Sequence, residues 1–239
     1  MHEIAVRAGV LAKFGKEEPH LDLAERFVLH DKVVNYRDAL TYQENAERLR
    51  HEPFREDTIV ELKKEHDEVI GRFGPAFGSP YGWAAGLPGL PFPEEANLRA
   101  LERLAELDHF RSIYNWSSHY VHADAKAMRI SLVERGGNHA VLTNATNAQL
   151  ADPGQNTLIG VFRVFISMVT SAHPFAFYDM LLCKSLQEML DKACQIYVDA
   201  EFAVREAEER FQAELAERGM RFDVALGEVP LDSGALTGD

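Results

Sequence analysis

Apolar residues recur at helical spacing along most of the chain. Between Leu21 and Arg50, Ala24, Phe27, Val34 and Leu49 stand among charged residues with neither Gly nor Pro, which predicts one long amphipathic helix. Ile59, Leu62, Val69 and Phe73 follow at three-, seven- and four-residue steps, a single stripe that Gly74-Pro75 ends. Leu98, Leu101 and Ala105 mark a third helix, from about Glu94 to Asp108. Towards the C-terminus, Tyr197, Ala200, Val204, Ala207, Phe211 and Leu215 repeat at three- and four-residue steps, and Gly219 supplies a stop. The opposite face carries Glu201–Arg205, Glu206–Arg210 and Glu214–Arg218. Each such pair contributes about 0.2–0.5 kcal/mol, so the apolar stripe must hold this helix against a neighbour.

Three segments depart from that pattern. Thr157 to Ala172 is apolar on nearly every side but contains Arg163, and a membrane span needs about 20 apolar residues. A central core helix is predicted, with Arg163 turned outward or paired with a carboxylate. Gly74 to Pro93 holds five Gly and five Pro, together with Phe77, Tyr81, Trp83 and Phe92. A long loop packed on the body is predicted there. Between Ile130 and Leu142, two apolar runs flank Gly136-Gly137-Asn138, which leaves a small β-hairpin or irregular coil open. The pattern as a whole predicts an all-α bundle of six to eight helices. Residues 1–220 read as a single helical domain and 221–239 as a mobile tail.

Charge and cysteine usage narrow the classes. The 25 Lys and Arg against 38 Asp and Glu give a net charge of −13, which excludes a uniformly basic nucleic-acid binder. Cys183 and Cys194, eleven residues apart and three turns along one helix face, read as buried reduced thiols, and a cytoplasmic location is the default. The first 20 residues carry no basic-then-apolar signal pattern, and no membrane partner is expected. His173-Pro174 marks a kink or a break between helices. The charged helix with its narrow stripe from Tyr197 to Leu215 lacks a partner surface, which predicts a homodimer.

Reactive side chains concentrate between Arg111 and Asp124. Tyr114, Ser118 and His122 fall at i, i+4 and i+8 on one helix face, with Arg111 a turn earlier on its edge. A phenol, a hydroxyl, an imidazole and a guanidinium so placed are candidates for an acid–base site, with His122 at its centre. The alternative is packing: Ser118 and His122 tie a buried helix to its neighbours, and Tyr114 and Trp116 are aromatics with one polar tip satisfied. His119, His122 and Asp124 are candidate metal ligands by spacing, although H-E-x-x-H and C-x-x-C are both absent. There is no P-loop and no G-x-S-x-G elbow, and no cofactor is implied.

The pattern Tyr-x3-Ser-x2-Val-His, present as Tyr114, Ser118, Val121 and His122, resembles the bacterial family known as domain of unknown function 5677. Gly82-Trp83, and a helix carrying Leu104-Ala105-Glu106 ahead of the Tyr, resemble it too, and the resemblance covers most of Met1 to about Leu190. It implies an all-helical bacterial protein and supplies no reaction. Members carry further helix ahead of the segment matched by Ile4 to Phe14, so the chain is expected to start inside the family's first helices. A helical ribonuclease of the HEPN type has an Arg and a His four to six residues apart on one helix. Here seven residues separate Arg111 from His119, ten separate it from His122, and three separate Arg135 from His139. Two readings follow. One is an interaction or structural module with a polar cluster inside the bundle. The other is a helical effector enzyme, ribonuclease-like or another hydrolase, using His122 with Ser118, Tyr114 and Arg111 under the Trp83 loop. Neither identifies a small-molecule ligand.

Overall fold

The computed structural model describes residues 1–16, 18–90, 96–122, 125, 132–135, 138–141, 151–172 and 176–218; for 119–122, 133–135, 138–141 and 172 it describes the backbone alone. Eight α-helices lie among the described residues. They are α1 (His2–Phe14), α2 (Leu23–Leu29), α3 (Asp31–Leu49), α4 (Glu56–Phe73), α5 (Leu98–Leu104), α6 (Arg111–His122), α7 (Ala151–Ala172) and α8 (Phe177–Glu217). The architecture is all-α. Among the described residues one antiparallel hairpin interrupts it, β1 (Leu132–Arg135) against β2 (Asn138–Val141), with Leu132 opposite Val141 and Arg135 opposite Asn138. Two compact units can be distinguished along the chain, Met1–Tyr114 with Asn156–Leu190, and Asn115–Gln155 with Asp191–Asp239. The tail from 221 onward lies outside the described residues.

The core of the first unit forms where α1 to α5 bring their apolar stripes onto the Gly/Pro-rich segment. Val6 and Val10 of α1, Leu23 of α2, Val33 of α3, Val69 of α4 and Leu101 of α5 meet Phe77 and Trp83. Each such side chain contributes about 1.5–3 kcal/mol when fully buried. The segment predicted to lie on the body is thus its centre. Phe77 and Trp83 are 0% and 2% exposed, and Trp83 meets Phe27 edge-on at 5.0 Å between ring centroids. Gly82 is required here, because a Cβ would stand 2.2 Å from the Phe77 carbonyl oxygen. This placement overturns the expectation of a Trp83 loop covering a pocket. Phe92 lies outside the described residues.

Several predicted elements change length for local reasons. The helix expected over Leu21 to Arg50 is two, broken at His30, whose backbone (φ −62°, ψ −20°) is tightened toward 3-10 geometry. The imidazole of His30 is buried and packs edge-on against Phe77 at 5.2 Å. The helix expected from Glu94 to Asp108 runs only from Leu98 to Leu104. Asn97 caps it, its side-chain oxygen accepting from the Ala100 amide at 3.0 Å. Glu106, in the left-handed region at φ 58°, ends it, with the Leu107 amide donating back to the Glu102 carbonyl at 2.8 Å. That is a Schellman closure with Glu where Gly is usual.

The apolar segment 157–172 forms α7, which begins earlier, at Ala151, and is not the central core helix expected. Val161 and Met168 are exposed, and Val164 is the residue of this helix that packs against the first unit's core. Nor is Arg163 outward or ion-paired among the described residues: its guanidinium stacks 3.9 Å from the Phe110 ring centroid, with a buried Nε that has no hydrogen-bond partner. Helix α7 ends at Ala172 and α8 starts at Phe177; His173-Pro174, where a kink or break is expected, lies outside the described residues. In the second unit the C-terminal stripe is partly occupied. Gly154 lies so close to Tyr197 that a Cβ would come within 2.4 Å of the ring, and Gln155 Nε2 donates to the Cys194 carbonyl at 2.9 Å. The Ala151 amide donates to Glu201 at 3.1 Å. Tyr197, the first residue of that stripe, is therefore already packed against α7.

Candidate functional site

Four residues of α5 decide where the polar site sits. Leu98, Ala100, Leu101 and Glu102 are all buried, so Glu102 takes the i+4 position of the apolar stripe and carries a carboxylate into the core side of the helix. Its side chain is fully buried. A carboxylate in that position requires compensating donors, and two helices supply them to one oxygen. His2, the first residue of α1, donates from Nε2 to Oε1 at 2.9 Å. Arg111, the first residue of α6, donates from Nη1 to the same oxygen at 2.9 Å. Glu102 Oε2 is buried with no partner among the described residues.

A second carboxylate completes the cluster. Glu3 Oε1 accepts from the Tyr114 hydroxyl at 2.8 Å, and Oε2 accepts from Arg7 at 3.3 Å. The His2 and Tyr114 rings lie 5.3 Å apart, and the Arg111 guanidinium stands 5.5 Å from the Tyr114 ring centroid. Glu3 and Glu102 against Arg7 and Arg111 make the group neutral with an uncharged His2. The hydrogen bond to the Glu3 carboxylate, and after it the phenol's own burial, hold Tyr114 above its ordinary range. A phenol held that way is a poor base and a poor nucleophile at neutral pH.

Of the four residues singled out for acid–base chemistry, Arg111 and Tyr114 are brought together. The Ser118 hydroxyl is satisfied within its own helix, donating to the Asn115 carbonyl at 2.8 Å. The side chains of His122 and His119 lie outside the described residues, as does Asp124, so the candidate metal set falls there too. No other group of three His, Cys, Asp or Glu residues among the described ones is placed to hold a metal ion. Cys183 and Cys194 are free and half-buried rather than buried, and burial followed by the charge of Asp191 pushes the Cys194 thiol up, away from the reactive thiolate. No helix among the described residues is long and apolar enough to cross a membrane.

His2, Glu3 and Glu102 were not singled out from the sequence. One signal was present: a Glu standing four residues after Leu98, inside an apolar stripe, is a buried charge in need of a partner. Nothing in the sequence places the chain's second residue against its hundred-and-second.

The chain belongs to the Family of unknown function (DUF5677), whose model matches residues 1–139. The match takes in all six residues of the cluster and ends before α7 and α8. No curated protein and no solved structure matches the chain.

Proposed function

We propose that the chain is a bacterial, cytoplasmic interaction module that works as a homodimer, and that the cluster around Glu102 is its internal fastening. One observation carries this reading: apart from Glu102 Oε2 and Arg7 Nε, which find no partner among the described residues, the cluster's side chains are engaged with one another. Glu102 Oε1 accepts two donors from two different helices, and the Tyr114 hydroxyl is held by Glu3. No hydroxyl among them is paired with a free base. The two unpaired thiols fit a reducing compartment.

Removing one partner of a buried ion pair strands the other charges. Glu102→Ala is therefore expected to lose about 3–5 kcal/mol of stability in urea unfolding, with Arg111→Leu destabilising in the same direction. A Glu102→Ala protein that unfolds like wild type would overturn the fastening role.

The second reading is a helical hydrolase using His122 with Ser118, Tyr114 and Arg111. What favours it is the placement of Arg111 and Tyr114 beside a buried carboxylate with one unsatisfied oxygen. His122→Ala separates the two. If His122 ties its own helix to a neighbour, as the packing alternative read from the sequence has it, a lower melting temperature is expected, by about 1–3 kcal/mol of lost stability. Unchanged melting together with loss of a cellular toxicity phenotype would establish the enzyme instead.

A further inference from the structure

The interaction role just proposed, on which this inference rests, requires a surface, and α8 carries one. No residue along its 41 positions is fully buried. Leu182, Met189 and Ile196 stand seven residues apart and are 46%, 65% and 67% exposed. Leu186, Ala193, Ala200 and Ala207 fill the steps between them, with Ala203 continuing the sevenfold series. From Leu182 to Ala207 the apolar positions thus alternate four and three apart. Spacing of that kind, sustained over eight positions, is the seam along which one helix meets another in a coiled coil. Tyr197 and Val204, which are half-buried, lie one position to the side of it.

Side-chain size along the seam is uneven, and the unevenness selects a partner and a direction. Leu182, Leu186 and Met189 occupy its first half, whereas Ala200, Ala203 and Ala207 occupy its second. Laid parallel on a second copy, alanine would face alanine through half the interface and leave voids. Laid antiparallel, with the twofold axis between Cys194 and Gln195, large meets small in every layer. Leu182 then faces Ala207 of the second copy, and Leu186 faces Ala203. Met189 faces Ala200, and Ile196 faces Ala193.

The same register sets the flanking charges. Lys192 comes beside Asp199 of the second copy, and the contact occurs twice by symmetry. Asp199 accepts from Gln195 through Oδ1 at 2.8 Å, leaving Oδ2 as the second acceptor oxygen of the carboxylate. Glu206 flanks the seam on the same side as Lys192 and Asp199, and the whole chain carries a charge of −13, which disfavours an anionic membrane surface as the occupant. We infer that α8 pairs with α8 of a second copy as an antiparallel coiled coil, with its seam running from Leu182 to Ala207 and Lys192 matched to Asp199.

The test is the mass of the full-length protein in solution by light scattering and sedimentation equilibrium, across a wide concentration range. Wild type is expected to dimerise. Ile196→Asp is expected to be monomeric with wild-type helix content by circular dichroism, so that loss of assembly is not loss of fold. Lys192→Asp and Asp199→Lys each place like charges together twice, and each is expected to weaken dimerisation about tenfold. The double swap, K192D with D199K, restores it, because residues 192 and 199 again carry opposite charges. A dimer that ignores Ile196→Asp overturns the seam while leaving the interaction role intact. A dimer broken by Ile196→Asp but not rescued by the swap overturns the antiparallel register. A protein monomeric at every concentration overturns both the seam and the homodimer.

Discussion

At the scale of single residues, burial decides which charges matter, and His30 is the clearest titratable case. Its ring is 5% exposed, and Nε2 donates to the Ser79 carbonyl at 2.9 Å. Burial pulls its pKa below the ordinary histidine range, and the hydrogen bond to Ser79 offsets this only in part. The folded protein therefore holds His30 neutral at a pH where the unfolded chain already binds a proton. Stability from this group is fully present above the ordinary value of about 6.5 and is lost as pH falls from there through the depressed folded value. Thermal unfolding between pH 7.5 and pH 5.5 is expected to show a falling melting temperature, with a shallower fall in His30→Gln. An equal slope in the variant would show that other groups carry the pH dependence.

At the scale of elements, the sequence pattern is informative where a stripe is long and its stop is chemical. The α4 stripe ends where Gly74 takes a φ of 88°, as Gly74-Pro75 foretells. The break of α2 from α3 was not legible, because His30 interrupts no apolar period; it is set by a side chain turning to meet Ser79 and Phe77, both about 50 residues away in sequence. Helix α5 is shorter than its apolar period implies, because that period continues past the point where Glu106 adopts the left-handed conformation. For α7, high hydrophobicity does not mean centrality, since the core forms instead around a Gly/Pro-rich segment with no periodicity. That segment depends on close backbone approach more than on propensity. Gly82→Ala is expected to cost about 1–3 kcal/mol and lower the melting temperature, since the Phe77 carbonyl must move to admit a Cβ. Gly71→Ala on α4, where an added Cβ meets nothing within 4 Å, is the matched control and is expected to be neutral or slightly stabilising. Equal melting of the two variants would show that the Gly82 turn relaxes freely.

At the scale of the whole molecule, the site was half legible: Arg111 and Tyr114 follow from their spacing on one helix, while Glu102, His2 and Glu3 depend on chain ends and helices meeting in three dimensions. Net charge acts at this scale as well, and it makes a prediction about assembly. Each copy carries −13, so two copies repel over distances longer than any single contact in their interface. Salt screens interactions beyond a Debye length of about 10 Å at 0.1 M, and it reduces the long-range repulsion more than the close contact between Lys192 and Asp199. Exposed ion pairs contribute only about 0.2–1 kcal/mol, and the apolar layers of a coiled-coil seam do not depend on charge. The sum is an association that strengthens as salt is raised from low to moderate concentration, the reverse of an interface held by opposite charges. Sedimentation equilibrium across a sodium chloride series reads the sign directly. Weakening with salt would mean that local ion pairs outweigh the repulsion between two acidic copies, and that apolar contact is not what holds them together.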